Sequence, residues 1–265
     1  MSNHVHLVLF VDQEAADNWE PLEVAIRWHR LFNGSLLSQR FIDGDALSRA
    51  ELQTLDELIA LWRSRLMDIS WFMRCLNEPI ARKANLEDGC TGRFWEGRYK
   101  SQALLDEKAL AACLAYVDLN PVRAGMAKTP EDSAYTSVAE RSAQIKQNIS
   151  SNNKYPTQPS HLLPFVGNPR TDMPKGLPFR LTDYLQLLDW TGRAVLENKR
   201  GAIPKDQPPM LERLQIDSKH WLYMTQHFES KFKGLVGASY SLKAACQQLG
   251  YRRTPNLSAC QQLLM

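Results

Sequence analysis

Apolar and polar residues alternate from His4 to Val11, the opening of the chain in the phrase MSNHVHLVLFV. A period of two predicts a strand with His4, His6, Val8 and Phe10 on one face and Val5, Leu7, Leu9 and Val11 on the other. The second face is wholly apolar and is expected to meet a core.

The pattern then turns helical. Ser48 and Glu51 form an S-x-x-E capping box ahead of Leu52, Leu55, Leu58, Ile59, Trp62 and Leu66, and PLEVAIRWHRLF and DISWFMRCLNEPIARKAN flank this helix as two more. The stretch GCTGRFWEGRYKSQALL reads as a strand from its aromatics and glycines. Asp106 is a suitable N-cap for EKALAACLAYVDLN, which Pro121 stops. Residues 142–178 shift to Ser, Asn, Gln, Pro and Lys, the composition of a linker, and the phrases LTDYLQLLDWTGRAVLENK, LERLQIDSKHWLYMTQHFESKF and SLKAACQQLGYRR beyond it predict a helical region over 179–265.

Composition narrows this picture little. In 265 residues, 44% are hydrophobic and 23% charged, enough apolar material for a globular core. A net charge of +3 is too mild to name nucleic acid or a membrane as the partner. The apolar run LVLFV is well short of the roughly 20 residues a bilayer requires, so no membrane is expected. Five cysteines without a CxxC pair fit a reduced, cytoplasmic chain.

Two constellations carry chemistry. Strand geometry would turn the His4 and His6 imidazoles to one side, where two neutral nitrogens bind one divalent cation. In AYVDLNPVRAG, Tyr116 and Asn120 are four apart at the edge of a stripe formed by Leu110, Cys113, Leu114 and Val117. Singly, each has a structural explanation: histidines on a solvated strand, a tyrosine at a core margin, an asparagine closing a helix. Another histidine pair, His220 and His227, reads as packing or capping residues of a helix, as does His29 beside Trp28.

The phrases NHVHL, GRFWEGRYKS and AYVDLNPVRAG, in that order, resemble the single-tyrosine HUH transposases, in particular the branch of REP-associated tyrosine transposases. The resemblance covers about residues 1–128, with an insertion-like segment near 12–60, and leaves 146–265 unassigned. It implies an α+β fold, a ferredoxin-like palm of antiparallel sheet with flanking helices, here N-terminally truncated because the chain starts three residues before His4. The catalytic domain would then span 1–141. The family's roles carried onto these positions make Tyr116 the nucleophile and His4, His6 and Asn120 the ligands of Mg²⁺ or Mn²⁺. The substrate would be single-stranded or hairpin DNA. Arg93, Trp95, Arg98 and Lys100 would contact it by stacking and charge, with Arg123 as a further phosphate contact. Tyr99 and Tyr135 are rival nucleophiles that lack a metal-compatible residue four positions on. Two other functions stay open: a non-catalytic DNA-binding remnant, and a replication or relaxase-type HUH nickase, against which YxxxNPxRAG argues.

Overall fold

The structure, a computed structural model, describes residues 4–152, 157–167, 174–197 and 207–264. It divides into two units, one of Leu9–Lys100 and one of Met1–Val8 with Ser101–Met265.

The Leu9–Lys100 unit is helical: α1 (Gln13–Asp17), α2 (Pro21–His29), α3 (Leu36–Asp43), α4 (Arg49–Leu66) and α5 (Ile69–Glu87). Side chains cap four of the five. The Ser48–Glu51 box forms as expected, with the Ser48 hydroxyl accepting from the Glu51 amide at 3.4 Å and the Glu51 carboxylate from the Ser48 amide at 2.7 Å. Asp12, Ser35 and Asp68 cap α1, α3 and α5 in the same sense. Leu55, Ile59 and Trp62 of α4 pack on Val24, Ala25 and Trp28 of α2, with the Trp28 and Trp62 rings stacked 5.2 Å apart.

The second unit runs β1 (Gln102–Leu104), α6 (Glu107–Asp118), α7 (Asn120–Arg123), α8 (Ser137–Ser150), α9 (Leu181–Glu197), α10 (Pro209–Leu214), α11 (Ser218–Lys231), β2 (Gly234–Val236), α12 (Ser239–Gln248) and α13 (Leu257–Leu263). Its core is built on α6 and α11. Ala109, Ala111, Ala112 and Ala115 face inward on α6, and such small side chains let a neighbouring helix approach closely. Trp221, Leu222, Met224 and Phe228 of α11 enter the same core, joined by Tyr184, Leu187 and Leu188 of α9. The helices expected in this region are present, and Asp106 does cap α6, accepting from the Ala109 amide at 3.0 Å.

The sheet overturns the expected fold class. Among the described residues there are two three-residue strands, and they pair in parallel, Gln102 with Gly234 and Leu104 with Val236. An antiparallel, ferredoxin-like palm with flanking helices is therefore not the architecture. Both strands lead into helices, and the Asp106 carboxylate joins the two starts by also accepting from the Ala238 amide. Gly237 sits at this junction because a Cβ there would lie 2.8 Å from that carboxylate.

Of the two sequence-predicted strands, the first does not form and the second is strand only over its end, Gln102–Leu104. His4–Val11 forms no ladder, and the face expected to meet the core does not: Val5, Leu7, Leu9 and Val11 are exposed, as is Phe10 on the other face, while Val8 packs on the core. Residues 89–101 are irregular, because Gly89 and Gly92 take positive φ (59° and 133°) and the Trp95 indole donates to the Asn77 carbonyl at 3.0 Å; β1 begins only at Gln102.

The described part of 142–178 belongs to the same unit as α6, and α8 with its buried Arg141, Ser142 and Asn148 runs into it. At the end of α8, Asn148 Nδ2 donates to the Thr157 carbonyl at 2.8 Å, holding the following segment against the helix. The separate unit, Leu9–Lys100, extends past the insertion expected at about 12–60 and includes Arg93, Trp95, Arg98 and Lys100.

Candidate functional site

Tyr116 lies in the last turn of α6, and the residues around it come from three stretches of chain. His6 meets its ring edge-on, centroids 5.4 Å apart, and His4 meets His6 at 5.0 Å. From α11, the Glu229 carboxylate accepts a hydrogen bond from the Tyr116 hydroxyl at 3.3 Å, and the Phe228 ring lies 6.1 Å away. The Arg123 guanidinium stacks over the Tyr116 ring at 4.2 Å and donates to the Thr225 carbonyl of α11. His4, His6, Tyr116 and Arg123, singled out from sequence, are thus one cluster.

Asn120 opens α7 just past the Leu119 cap of α6 and is buried, with its Nδ2 unpartnered. Pro121 follows it at the start of α7, a position that tolerates a missing N–H. Arg93, Trp95, Arg98 and Lys100 belong to the Leu9–Lys100 unit. Arg93, Arg98 and Lys100 are exposed, the Arg98 guanidinium lies 5.9 Å from the Tyr99 ring, and Trp95 packs edge-on against Phe94. The rival Tyr99 shares a hydrogen bond with Ser70, and Tyr135 is fully exposed at φ 60°.

Electrostatics divide the cluster into a neutral and a charged half. Burial lowers the His6 pKa against the opposing pull of Glu229, and His4 and Arg123 add to the lowering. Its Nε2 is buried without a hydrogen-bond partner, so a neutral imidazole holds an unused lone pair or proton. Burial also raises the Tyr116 phenol, the Glu229 charge adds to this, and Arg123 opposes it. Desolvation lowers Arg123.

These features bear on a bound cation. A neutral His6 with a free Nε2, and His4 beside it, fit the imidazole donors of a divalent site. Among the described residues no three His, Cys, Asp or Glu side chains are grouped to hold a metal, so two imidazoles would need an oxygen donor of another type. That is the role the resemblance gives Asn120, whose amide has no hydrogen bond fixing its nitrogen.

Sequence reading expected a helix at α11 but missed its part in the site. Glu229, Thr225 and Phe228 lie more than 100 residues beyond Tyr116, and no local pattern marks them as its neighbours. It also missed Asp118, two residues past Tyr116, which is buried and accepts from Tyr184 at 2.6 Å and Ser137 at 2.8 Å. These bonds tie the end of α6 to α9 and to the first turn of α8. Among the described residues, no helix is long and apolar enough to cross a membrane. Comparison of the chain with protein-family models, with curated proteins and with solved structures finds no match in any of the three.

Proposed function

We propose that this protein cleaves and rejoins single-stranded DNA, with Tyr116 as the nucleophile and a divalent cation, Mg²⁺ or Mn²⁺, held by His4, His6 and Asn120. The observation that carries the reading is the Tyr116 hydroxyl, half-buried between an unpartnered neutral imidazole and a carboxylate that accepts its hydrogen bond. A phenol with an ordinary pKa near 10 is a weak nucleophile at neutral pH. Glu229 supplies a proton acceptor within reach of that phenol. In the step, the Tyr116 oxygen bonds to phosphorus, its proton passes to Glu229, and the P–O3′ bond breaks. The departing 3′ oxygen takes up a proton, leaving a free 3′-OH and a 5′-phosphotyrosine. The link keeps the energy of the broken bond, so a second 3′-OH reverses the step without a nucleotide cofactor. When bound, the cation would polarise the scissile phosphate and offset developing charge. Arg123 holds the tyrosine ring against α11 through its stacking and its bond to the Thr225 carbonyl.

A second reading, a non-catalytic DNA-binding protein, is favoured by one observation: burial and Glu229 both push the Tyr116 pKa up, away from the phenolate. Covalent trapping separates the two. The full chain and Tyr116→Phe are incubated with Mn²⁺ and labelled single strands drawn from the DNA flanking the gene, then run on a denaturing gel. The transferase reading expects an adduct that needs both Mn²⁺ and Tyr116. DNA binding without an adduct would place the second reading in front.

A further inference from the structure

Along α11, which kinks at His227 (φ −124°, ψ 15°), the exposed Lys219, Tyr223 and His227 and the half-buried Lys231 recur every four residues. Successive members of such a series lie near one another on a helix. The Tyr223 and His227 rings are 4.8 Å apart, and the Lys231 ammonium reaches back to within 5.9 Å of the Tyr223 ring, although the two residues are about two turns apart. Against α13, Lys219, His220, Tyr223 and Lys231 with Gln262 line an open cleft of about 360 Å³. His220 has a buried Nδ1 without a partner. Asp217, the nearest carboxylate in sequence, is occupied with capping α11, accepting from the Lys219 and His220 amides.

Two cations, an exposed aromatic face and an amide around one concave space match the chemistry of a nucleic acid backbone with an unstacked base. We propose that this α11–α13 cleft is a subsite for single-stranded DNA, in which Lys219 and Lys231 each hold a phosphate and Tyr223 stacks on a base. The inference rests on the reading that single-stranded DNA is the substrate, and it gives the C-terminal region a role in holding it. Lipid headgroups and acidic peptides share the phosphate or carboxylate chemistry but offer no base to Tyr223.

The test is fluorescence anisotropy of a labelled mixed-sequence single strand of about twenty nucleotides with the full Tyr116→Phe chain, so that binding is read without cleavage. Tyr223→Ala is expected to weaken binding about tenfold, while Tyr223→Phe retains it. Lys219→Ala with Lys231→Ala is expected to weaken binding and to lower the slope of log K against log salt by about 1.4, near 0.7 per phosphate contact. All three side chains sit at the surface, and unchanged melting of the variants shows that the fold is intact. Affinities and slopes within twofold of the parent for every variant would overturn the proposal. So would displacement of the strand by polyaspartate or anionic vesicles as effectively as by unlabelled DNA. The trapping assay on the same substitutions with Tyr116 present keeps the two claims apart. An adduct with unaltered binding in the variants removes the cleft and leaves the transferase, whereas lost binding with no adduct from the parent removes the transferase and leaves the cleft.

Discussion

Charge is used in opposite ways by the two units. In Leu9–Lys100 it stays at the surface: Arg27 pairs with Glu23, Arg40 with Glu51, and Arg82 with Glu78, over a core of aliphatic side chains and stacked tryptophans. In the other unit polar groups are taken inside. Asp118 accepts from Tyr184 and Ser137, Trp221 donates to Thr191 at 2.9 Å, and Arg141 donates to the Leu163 carbonyl at 2.8 Å. Surface pairs add little stability, whereas a buried polar group is costly the moment it loses its partner. The first unit is held by local caps and apolar packing, whereas the second adds to its apolar core long-range polar connections that fix the helix carrying Tyr116.

Five substitutions sharpen that contrast or break it. The largest effect is expected from Trp28→Ala, which removes the ring stacked on Trp62 and costs about 3–5 kcal/mol. Hydrogen exchange read by mass spectrometry should show faster exchange in α2 and α4 with α6 and α11 unchanged. An equal rise in both units would mean that they unfold as one. Next, Tyr184→Phe strips a donor from buried Asp118 and is expected to cost about 1–3 kcal/mol in denaturant unfolding, with protection lost in α6 and α9. A smaller effect, about 1 kcal/mol, is expected from Ser48→Ala, which opens the capping box at α4 and leaves the Tyr116 unit as it was.

The finest distinction is in pH. Burial raises the Asp118 pKa, opposed by its hydrogen bonds, so the folded chain binds this proton more tightly than the unfolded chain. Its contribution is complete below the usual value of 3.8 and is lost as pH rises through the raised value. Glu51 is the reverse. The Ser48 amide and Arg40 hold its carboxyl down at about 2, so its contribution is complete above 4.5 and is lost as pH falls toward 2. Melting curves across pH should therefore show Asp118→Asn removing a decline above about pH 4, and Glu51→Gln removing a decline below it. The same sign from both substitutions would contradict the comparison.

How much was legible in the sequence follows the same division. The Ser48 box, the Asp106 cap and the C-terminal helices depend on residues a few positions apart, and they form where the pattern put them, whereas α6 ends at Asp118 and Pro121 opens the next helix instead of stopping this one. The strands were misread because a period of two gives a side-chain direction but no pairing partner. In His4–Val11 only His6 and Val8 are partly buried, and the face expected to meet the core is exposed. The meeting of His4 and His6 with Tyr116 was approached through the phrases NHVHL and AYVDLNPVRAG, whereas Glu229 had no such marker. Asp118 read as one more polar residue near a helix end. Only the fold shows it buried and bonded to Tyr184, 66 residues further on.

The central claim is that Tyr116 itself becomes joined to DNA. The most direct measurement is mass spectrometry of the species trapped with Mn²⁺ and a single strand, after protease and nuclease digestion. A nucleotide mass on Tyr116 within AYVDLNPVR is the predicted result. A nucleotide mass on Tyr99 or Tyr135, or a strand that binds and never becomes attached, would contradict it.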